Sequence, residues 1–202
     1  MKEYLTSDWH SFHKRIVGEE GFVKGRRRFS FVEYMNSLII WNTNLVVTDD
    51  DIIYHLGDIG INVKESELFE WLKQINGQIV LIKGNHDHKK LLNYIKRNNY
   101  KLPNGKDKFV IHDVGIILKR NGKSYYLSHF PMVFGDYRSN LRSFYGHYHD
   151  EPFVMANGLN VGVDSLEIGE RPFGEPVELG EAIALLENKW ETFKDKASRL
   201  MK

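Results

Sequence analysis

Cysteine is absent from the 202-residue chain, which excludes disulfides, thiolate metal sites and a cysteine nucleophile together. Proline is scarce, five scattered residues, and no repeat or low-complexity stretch is visible, so nothing marks a linker. Long hydrophobic runs are missing too. The longest, such as Ile79 to Ile82 and Ala182 to Leu186, fall far short of the roughly 20 residues that cross a bilayer. The N-terminal Met1-Lys2-Glu3-Tyr4-Leu5-Thr6-Ser7-Asp8 has no signal-peptide core. Nor is there an excess of either charge: 28 Lys and Arg face 27 Asp and Glu, a formal net charge of +1. That balance argues against coating nucleic acid or an anionic membrane by bulk charge. Hydrophobic residues at 42% and charged residues at 27% match an ordinary globular chain able to bury one core. The expectation is a cytoplasmic protein without a membrane partner, one domain over residues 1–202. What the chain does have is nine histidines.

Short apolar runs predict strands at Tyr4 to Thr6, Ile52 to Leu56, Ile79 to Ile82, Gly115 to Leu118, Tyr125 to Leu127, Ser143 to Tyr145 and Leu159 to Val163. Asn121-Gly122 between two of them reads as a hairpin turn. Helical spacing fills the gaps. Ser30 and Glu33 form a capping box ahead of Tyr34, Met35, Leu38, Ile39 and Leu45. Leu68, Trp71, Leu72 and Ile75 form a second stripe, with Asn76-Gly77 as its C-cap. His88 to Asn98 is a third helix. Ile183, Leu186, Trp190, Phe193, Ala197 and Leu200 predict a C-terminal helix over about 180–201 packed on its own domain. Strand-helix alternation in the first half predicts parallel pairing and the run of strands in the second half antiparallel pairing, hence a mixed α/β domain.

The polar residues of interest sit where predicted strands end. They are Asp8-Trp9-His10, Gly57-Asp58, Gly84-Asn85-His86-Asp87, His129 and Gly146-His147-Tyr148-His149. Ligands gather at the carboxyl ends of strands in open α/β sheets, so five such tips can converge on one crevice. Carboxylate, imidazole and amide oxygen together suit borderline-hard divalent ions. In an extended segment residues two apart face the same way, which would aim Asp8 with His10 and His147 with His149. Alone, each block has a plainer reading as a surface turn, a helix cap or a core histidine. Their order and shared placement favour a metal site.

This series of blocks resembles the calcineurin-like metallophosphoesterases, whose pattern is Asp-x-His, Gly-Asp, Gly-Asn-His-Asp or Glu, a lone His, and Gly-His-x-His. Tyr54-His55-Leu56-Gly57-Asp58, Leu127-Ser128-His129-Phe130-Pro131 and Asn160-Val161-Gly162-Val163-Asp164 look like the small phage and bacterial branch. The resemblance implies a sandwich of two mixed β-sheets flanked by helices. It also implies two divalent ions, manganese first and iron, zinc or nickel as alternatives. One ion would take Asp8, His10, Asp58 and His149; the other would take Asp58, Asn85, His129 and His147, with Asp58 bridging. Such a pair can activate a water, as a bridging hydroxide, for attack at phosphorus and clamp both oxygens of an in-line displacement. His86 would stabilise the transition state or protonate the leaving oxygen, with Asp87 orienting its imidazole. Asn85 and His13 are the candidates for substrate contact, His13 standing where the branch has a different Phe-Gly-His arrangement. The residues after Asp58, Ile59-Gly60-Ile61-Asn62, lack the Asp-Arg-Gly of the protein Ser/Thr phosphatases. His86 rather than Arg after Asn85 disfavours the lipid A-type pyrophosphatases.

Other candidates have structural readings beside them. His55 is a support for the metal residues or a core histidine, and His88 and His112 are solvated. Asp113 and Asp164 are turn residues or partners of ligand histidines. Lys24-Gly25-Arg26-Arg27-Arg28 is a solvated loop or an arm for extra phosphates. Trp9, Phe12, Tyr137 and Tyr148 are packing residues or platforms for a base. The function expected is a metal-dependent phosphoesterase whose partner is a small phosphorylated substrate, phosphodiester or nucleotide-like. A metal-dependent nuclease acting on nucleic acid and a metal-retaining, non-catalytic scaffold are the alternatives. With 53 residues after His149, the capping domain of nuclease relatives is not expected here, although a dimer could compensate. Oligomeric state has no signal.

Overall fold

Short apolar strands build two sheets in a computed structural model that describes residues 1–134 and 140–200, the last four by backbone alone. The first sheet comprises β1 (Glu3–Thr6), β2 (Ile52–His55), β3 (Gln78–Ile82), β4 (Phe109–His112) and β9 (Val177–Glu178), in the order β4-β3-β2-β1-β9. β1 to β4 are parallel and β9 runs antiparallel to β1. The second comprises β5 (Gly115–Arg120), β6 (Lys123–Ser128), β7 (Leu141–Tyr145) and β8 (Gly158–Asn160), in that order. β5 and β6 form an antiparallel hairpin whose turn residues Asn121 and Gly122 have φ of 50° and 74°, the left-handed pair a tight two-residue turn needs. β6, β7 and β8 are parallel, where antiparallel pairing was expected. β7 and β8 are each entered by a connection long enough to cross over.

The helices are α1 (Val32–Val46), α2 (Glu65–Leu72), α3 (Lys89–Asn98) and α4 (Leu179–Leu200). Alternate strand residues face two cores. Tyr4, Ile53, Ile79, Leu81 and Phe109 bury against Met35 and Ile39 of α1, Leu68 and Trp71 of α2, and Leu92 and Ile95 of α3. Their neighbours Leu5, Tyr54, Val80 and Ile82 turn to the other face and meet Tyr125, Leu127, Phe144 and Leu159 of the second sheet. α4 contributes Ala182 and Leu186 to this inter-sheet core. The result is a two-sheet α/β sandwich with helices at its flanks. Among the described residues no helix is long and apolar enough to cross a membrane.

Several local expectations are corrected. The capping box does not form: Phe31, not Ser30, is the N-cap of α1 and no side chain caps it. The α1 stripe is rotated, with Tyr34 and Leu45 exposed and Val32 and Thr43 buried instead. α2 ends at Leu72, and Asn76-Gly77 is a separate turn into β3. There Asn76 Nδ2 donates to the Val47 carbonyl at 3.0 Å, binding the turn to α1 rather than capping α2. β4 and β9 were missed, β4 because three of its four residues are only half-buried and β9 because two residues carry no pattern. In α4, Phe193 is exposed, and the side chains of Ala197 and Leu200 lie outside the described residues.

Candidate metal centre

β1, β2 and β3 of one sheet and β6 and β7 of the other end on the same side, and each delivers one chemical block from its carboxyl end. The loops are stitched by backbone bonds. Asp8 N–H donates to Gly57 O at 3.0 Å, His10 N–H to Asp58 O at 2.9 Å, and Gly146 N–H to His129 O at 3.0 Å. Asp8 and His10 do converge, joined by His149, but neither these residues nor His147 lie on an extended segment. The φ angles of Asp8, His10, His149 and His147 are 60°, 47°, 51° and 72°, and Asp58 has 59°. Non-glycine residues avoid this region unless the surroundings hold them there, and such strain concentrates at functional sites. Gly84 and Gly146 are required by close approach: a Cβ at Gly84 would strike the Asp58 carboxylate, and one at Gly146 the Asp8 carboxylate and Ser7.

The side chains form two overlapping groups. Ligand atoms of Asp8, His10 and His149 lie within 4.8 Å of one another, as do those of Asp8, Asp58 and His129. One Asp58 oxygen, Oδ2, is 3.5 Å from His10 Nε2 and 3.4 Å from His129 Nε2, which puts Asp58 between the groups. Atoms held about 2.0–2.2 Å from a shared cation stand about 3–3.5 Å apart, so these separations fit ligation. Asn85 Oδ1 is 2.8 Å from His129 Nε2. His147 is looser. Its ring centroid lies 5.1 Å from that of His129, and its backbone N–H donates to Asp8 Oδ2 at 2.9 Å. Asp8 Oδ1 and both ring nitrogens of His10 are buried without a hydrogen-bond partner. Orphaned buried polar atoms cost about 1–3 kcal/mol each, and a cation would satisfy Asp8 Oδ1 and one of the two His10 nitrogens. The residues present therefore fit divalent metal.

Electrostatics follow from burial. His10 is driven well below the usual imidazole value by burial and then by the Arg26 charge, leaving it neutral with one ring-nitrogen lone pair to offer. Burial lowers His147 as well, and His13 to about 4. Asp58 is raised by burial, opposed by His129. Behind the ligands, Asp164 Oδ2 lies 2.9 Å from His149 Nδ1, and the same carboxylate is held by Arg26 Nε and Nη2. Arg26 also donates to the carbonyls of Trp9, at 2.8 Å, and Asp8. His129 Nδ1 is 2.8 Å from the Leu56 carbonyl. The two Nδ1 contacts turn the Nε2 atoms of His149 and His129 toward the site, the latter beside Asn85 Oδ1.

Against this geometry, residues 1–168 match the family model for calcineurin-like phosphoesterases. The chain belongs to that family. It is 35% identical over 137 residues to an uncharacterised protein of Methanocaldococcus jannaschii, a match spanning 65% of this chain and 75% of the relative. The crystal structure of a protein of unknown function from Aquifex aeolicus shares the fold at TM-score 0.65 and 22% identity, covering 91% of this chain and 98% of that one. The two-sheet sandwich of the calcineurin-like phosphoesterases is thus the frame on which these five loops are mounted.

Some roles read from the sequence change. Asp87 does not orient His86. Its buried carboxylate accepts the N–H groups of Asp58 (2.8 Å), Ile59 (3.1 Å) and Gly84 (2.8 Å), tying the second and third loops together. His86 is half-buried, its ring 5.3 Å from that of His10, and its backbone N–H donates to Asp58 Oδ1 at 2.8 Å. His13 is buried with its ring 5.8 Å from His10, so it lies beside the centre. The basic run does not act as one solvated unit. Arg26 is wholly buried, Arg27 Nε donates to Gly21 O at 2.7 Å, and Arg28 covers Phe29. His55 is a core histidine, pushed down to about 3 by burial and packed against Trp9. Asp113 is exposed and touches no ligand histidine, and His112 is half-buried. Of the aromatic candidates, Trp9 is core, Phe12 is half-buried against Trp71, Tyr148 stacks on Phe153, and Tyr137 lies outside the described residues. The rings at the mouth are two that the sequence did not single out. Phe22, 56% exposed, stands beside His13 and His149, and Phe130, 52% exposed, beside His129 and His147. Both sit in stretches without periodicity, and only His129-Phe130 adjacency in sequence could have flagged either.

Proposed function

We propose that the chain is a divalent-metal-dependent phosphoesterase acting on phosphodiesters and nucleotide-like small molecules. The observation that carries this reading is the single Asp58 oxygen that stands 3.5 Å from His10 Nε2 and 3.4 Å from His129 Nε2, between two carboxylate–imidazole groups that have Asp8 in common. Asp8, His10, Asp58 and His149 would hold one ion; Asp58, Asn85, His129 and His147 would hold the other. Manganese is the first choice, and the mixed oxygen and nitrogen donors also suit iron, zinc and nickel. Two divalent ions supply a water nucleophile at neutral pH and neutralise phosphate charge. Neutral His10 and His147 favour such binding, since no proton must leave first.

His86 is the residue outside the ligand set best placed for proton transfer. Its half-buried imidazole beside His10 can reach bound substrate and solvent, and it would hold a proton for the leaving oxygen. Asn85 and His13 flank the same opening and would contact substrate phosphate. The test is hydrolysis of a chromogenic phosphodiester, with manganese added and then removed by chelator. Activity should appear with the metal and stop without it. His86→Gln should retain two bound cations while turnover falls about 10²–10⁴-fold. Silence across manganese, iron, zinc and nickel would favour the scaffold reading.

A further inference from the structure

A cleft of about 430 Å³ opens beside His129, within the ~300–1,000 Å³ range of small-molecule sites. Its walls are Val114, Phe130 and Val133, all exposed, with Lys83 and Asp113 at its rim. Phe130 is held in place: its ring meets His129 at 5.0 Å and His147 at 4.6 Å, and the Ser128 hydroxyl donates to its carbonyl at 2.7 Å. Half of its surface nevertheless remains open. Among the described residues neither Lys83 nor Asp113 has a side-chain partner, although both face the same space.

We propose that this cleft binds the ester arm that stays on phosphorus, and that the arm is a nucleoside. The inference rests on the phosphoesterase reading and names its substrate class. In hydrolysis of a diester, water oxygen forms the new P–O bond and one ester P–O bond breaks. The departing oxygen takes a proton, giving an alcohol and a phosphomonoester that keeps the other arm. The leaving oxygen belongs near His86, whose ring lies against His10. The cleft opens instead from His129, so the arm facing it is the one retained.

The chemistry of the walls selects the arm. A polyphosphate would meet the Asp113 carboxylate, and an acyl chain would strip water from both Lys83 and Asp113 without replacing it. A nucleoside offers a flat face for Phe130, apolar edges for Val114 and Val133, and hydroxyl and ring groups that donate to Asp113 and accept from Lys83.

Three chromogenic esters with one leaving group decide the matter: p-nitrophenyl phosphate, methyl p-nitrophenyl phosphate and thymidine 5′-(p-nitrophenyl) phosphate. With manganese-loaded protein, kcat/KM for the thymidine diester should exceed that for the methyl diester about tenfold or more, as stacking by one aromatic side chain allows. Phe130→Ala should cut that ratio about tenfold, and Phe130→Tyr should restore it. Calorimetric binding without turnover gives a second reading. Thymidine 5′-phosphate should bind more tightly than inorganic phosphate, and Phe130→Ala should erase the difference. A ratio near one in the wild type, or a ratio that survives Phe130→Ala, overturns the subsite while leaving the phosphoesterase standing. No metal-dependent hydrolysis of any of the three esters overturns both.

Discussion

Asp164 shows how a single residue behind the centre can decide what the ligands do. Burial opposes its ionisation, yet Arg26 and His149 bound to it hold the carboxyl at about 2, so it is charged at neutral pH. The charge fixes the His149 ring, and Arg26 carries the same restraint to the Asp8 and Trp9 carbonyls. Asp164→Asn should weaken manganese binding about 10–100-fold, the usual effect of losing a partner behind a ligand histidine, as measured by calorimetric titration. Unchanged affinity would make the contact incidental. Arg26→Met leaves Asp164 buried without its cation and should cost about 3–5 kcal/mol in urea unfolding of chelator-treated protein. Sequence alone left Arg26 ambiguous, since nothing local separates it from Arg27 and Arg28. Its burial depends on Asp164, 138 positions away.

Among the elements, the loops at the strand ends carry the chemistry, and they were legible as positions but not as shapes. Each glycine-linked block was found because strands end there and chemical groups follow. The turn geometry was not legible, because left-handed φ at Asp8, His10, Asp58, His147 and His149 is imposed by bonds between loops remote in sequence. Asp87 is the plainest case, reading as a neighbour of His86 until its three backbone donors are seen. Gly146→Ala tests the loop packing. The added methyl must push the Asp8 carboxylate or Ser7 aside. Manganese affinity should fall at least tenfold while the circular dichroism spectrum stays that of the wild type, the strands themselves being untouched. Wild-type affinity would show that the loop can yield.

For the whole molecule, stability should carry the mark of Lys108, buried where β4 begins. Its ammonium donates to the carbonyls of Ile75 and Gly77, the latter at 2.6 Å, joining the turn after α2 to the sheet. Burial lowers it from the usual 10.5 to about 8. Below pH 8 the amine is protonated in both states. Between about 8 and 10.5 the folded chain has released the proton and the unfolded chain has not, so the unfolded state binds more protons and stability rises with pH. Comparison of wild type with Lys108→Met in urea at pH 7 to 10 should show this rise, up to about 3 kcal/mol, only in the wild type. Parallel curves for the two proteins would place the amine's titration elsewhere. Residue order along the chain by itself determined the mixed α/β class and the five blocks that end strands. Periodicity and turn chemistry are local properties, each written within a dozen residues. The tertiary structure decided which carboxylates stand between imidazoles, which arginine lies beneath them and which phenyl rings stand at the mouth. Those facts depend on separations of a few ångströms between segments far apart in the chain, and no local pattern encodes such a distance.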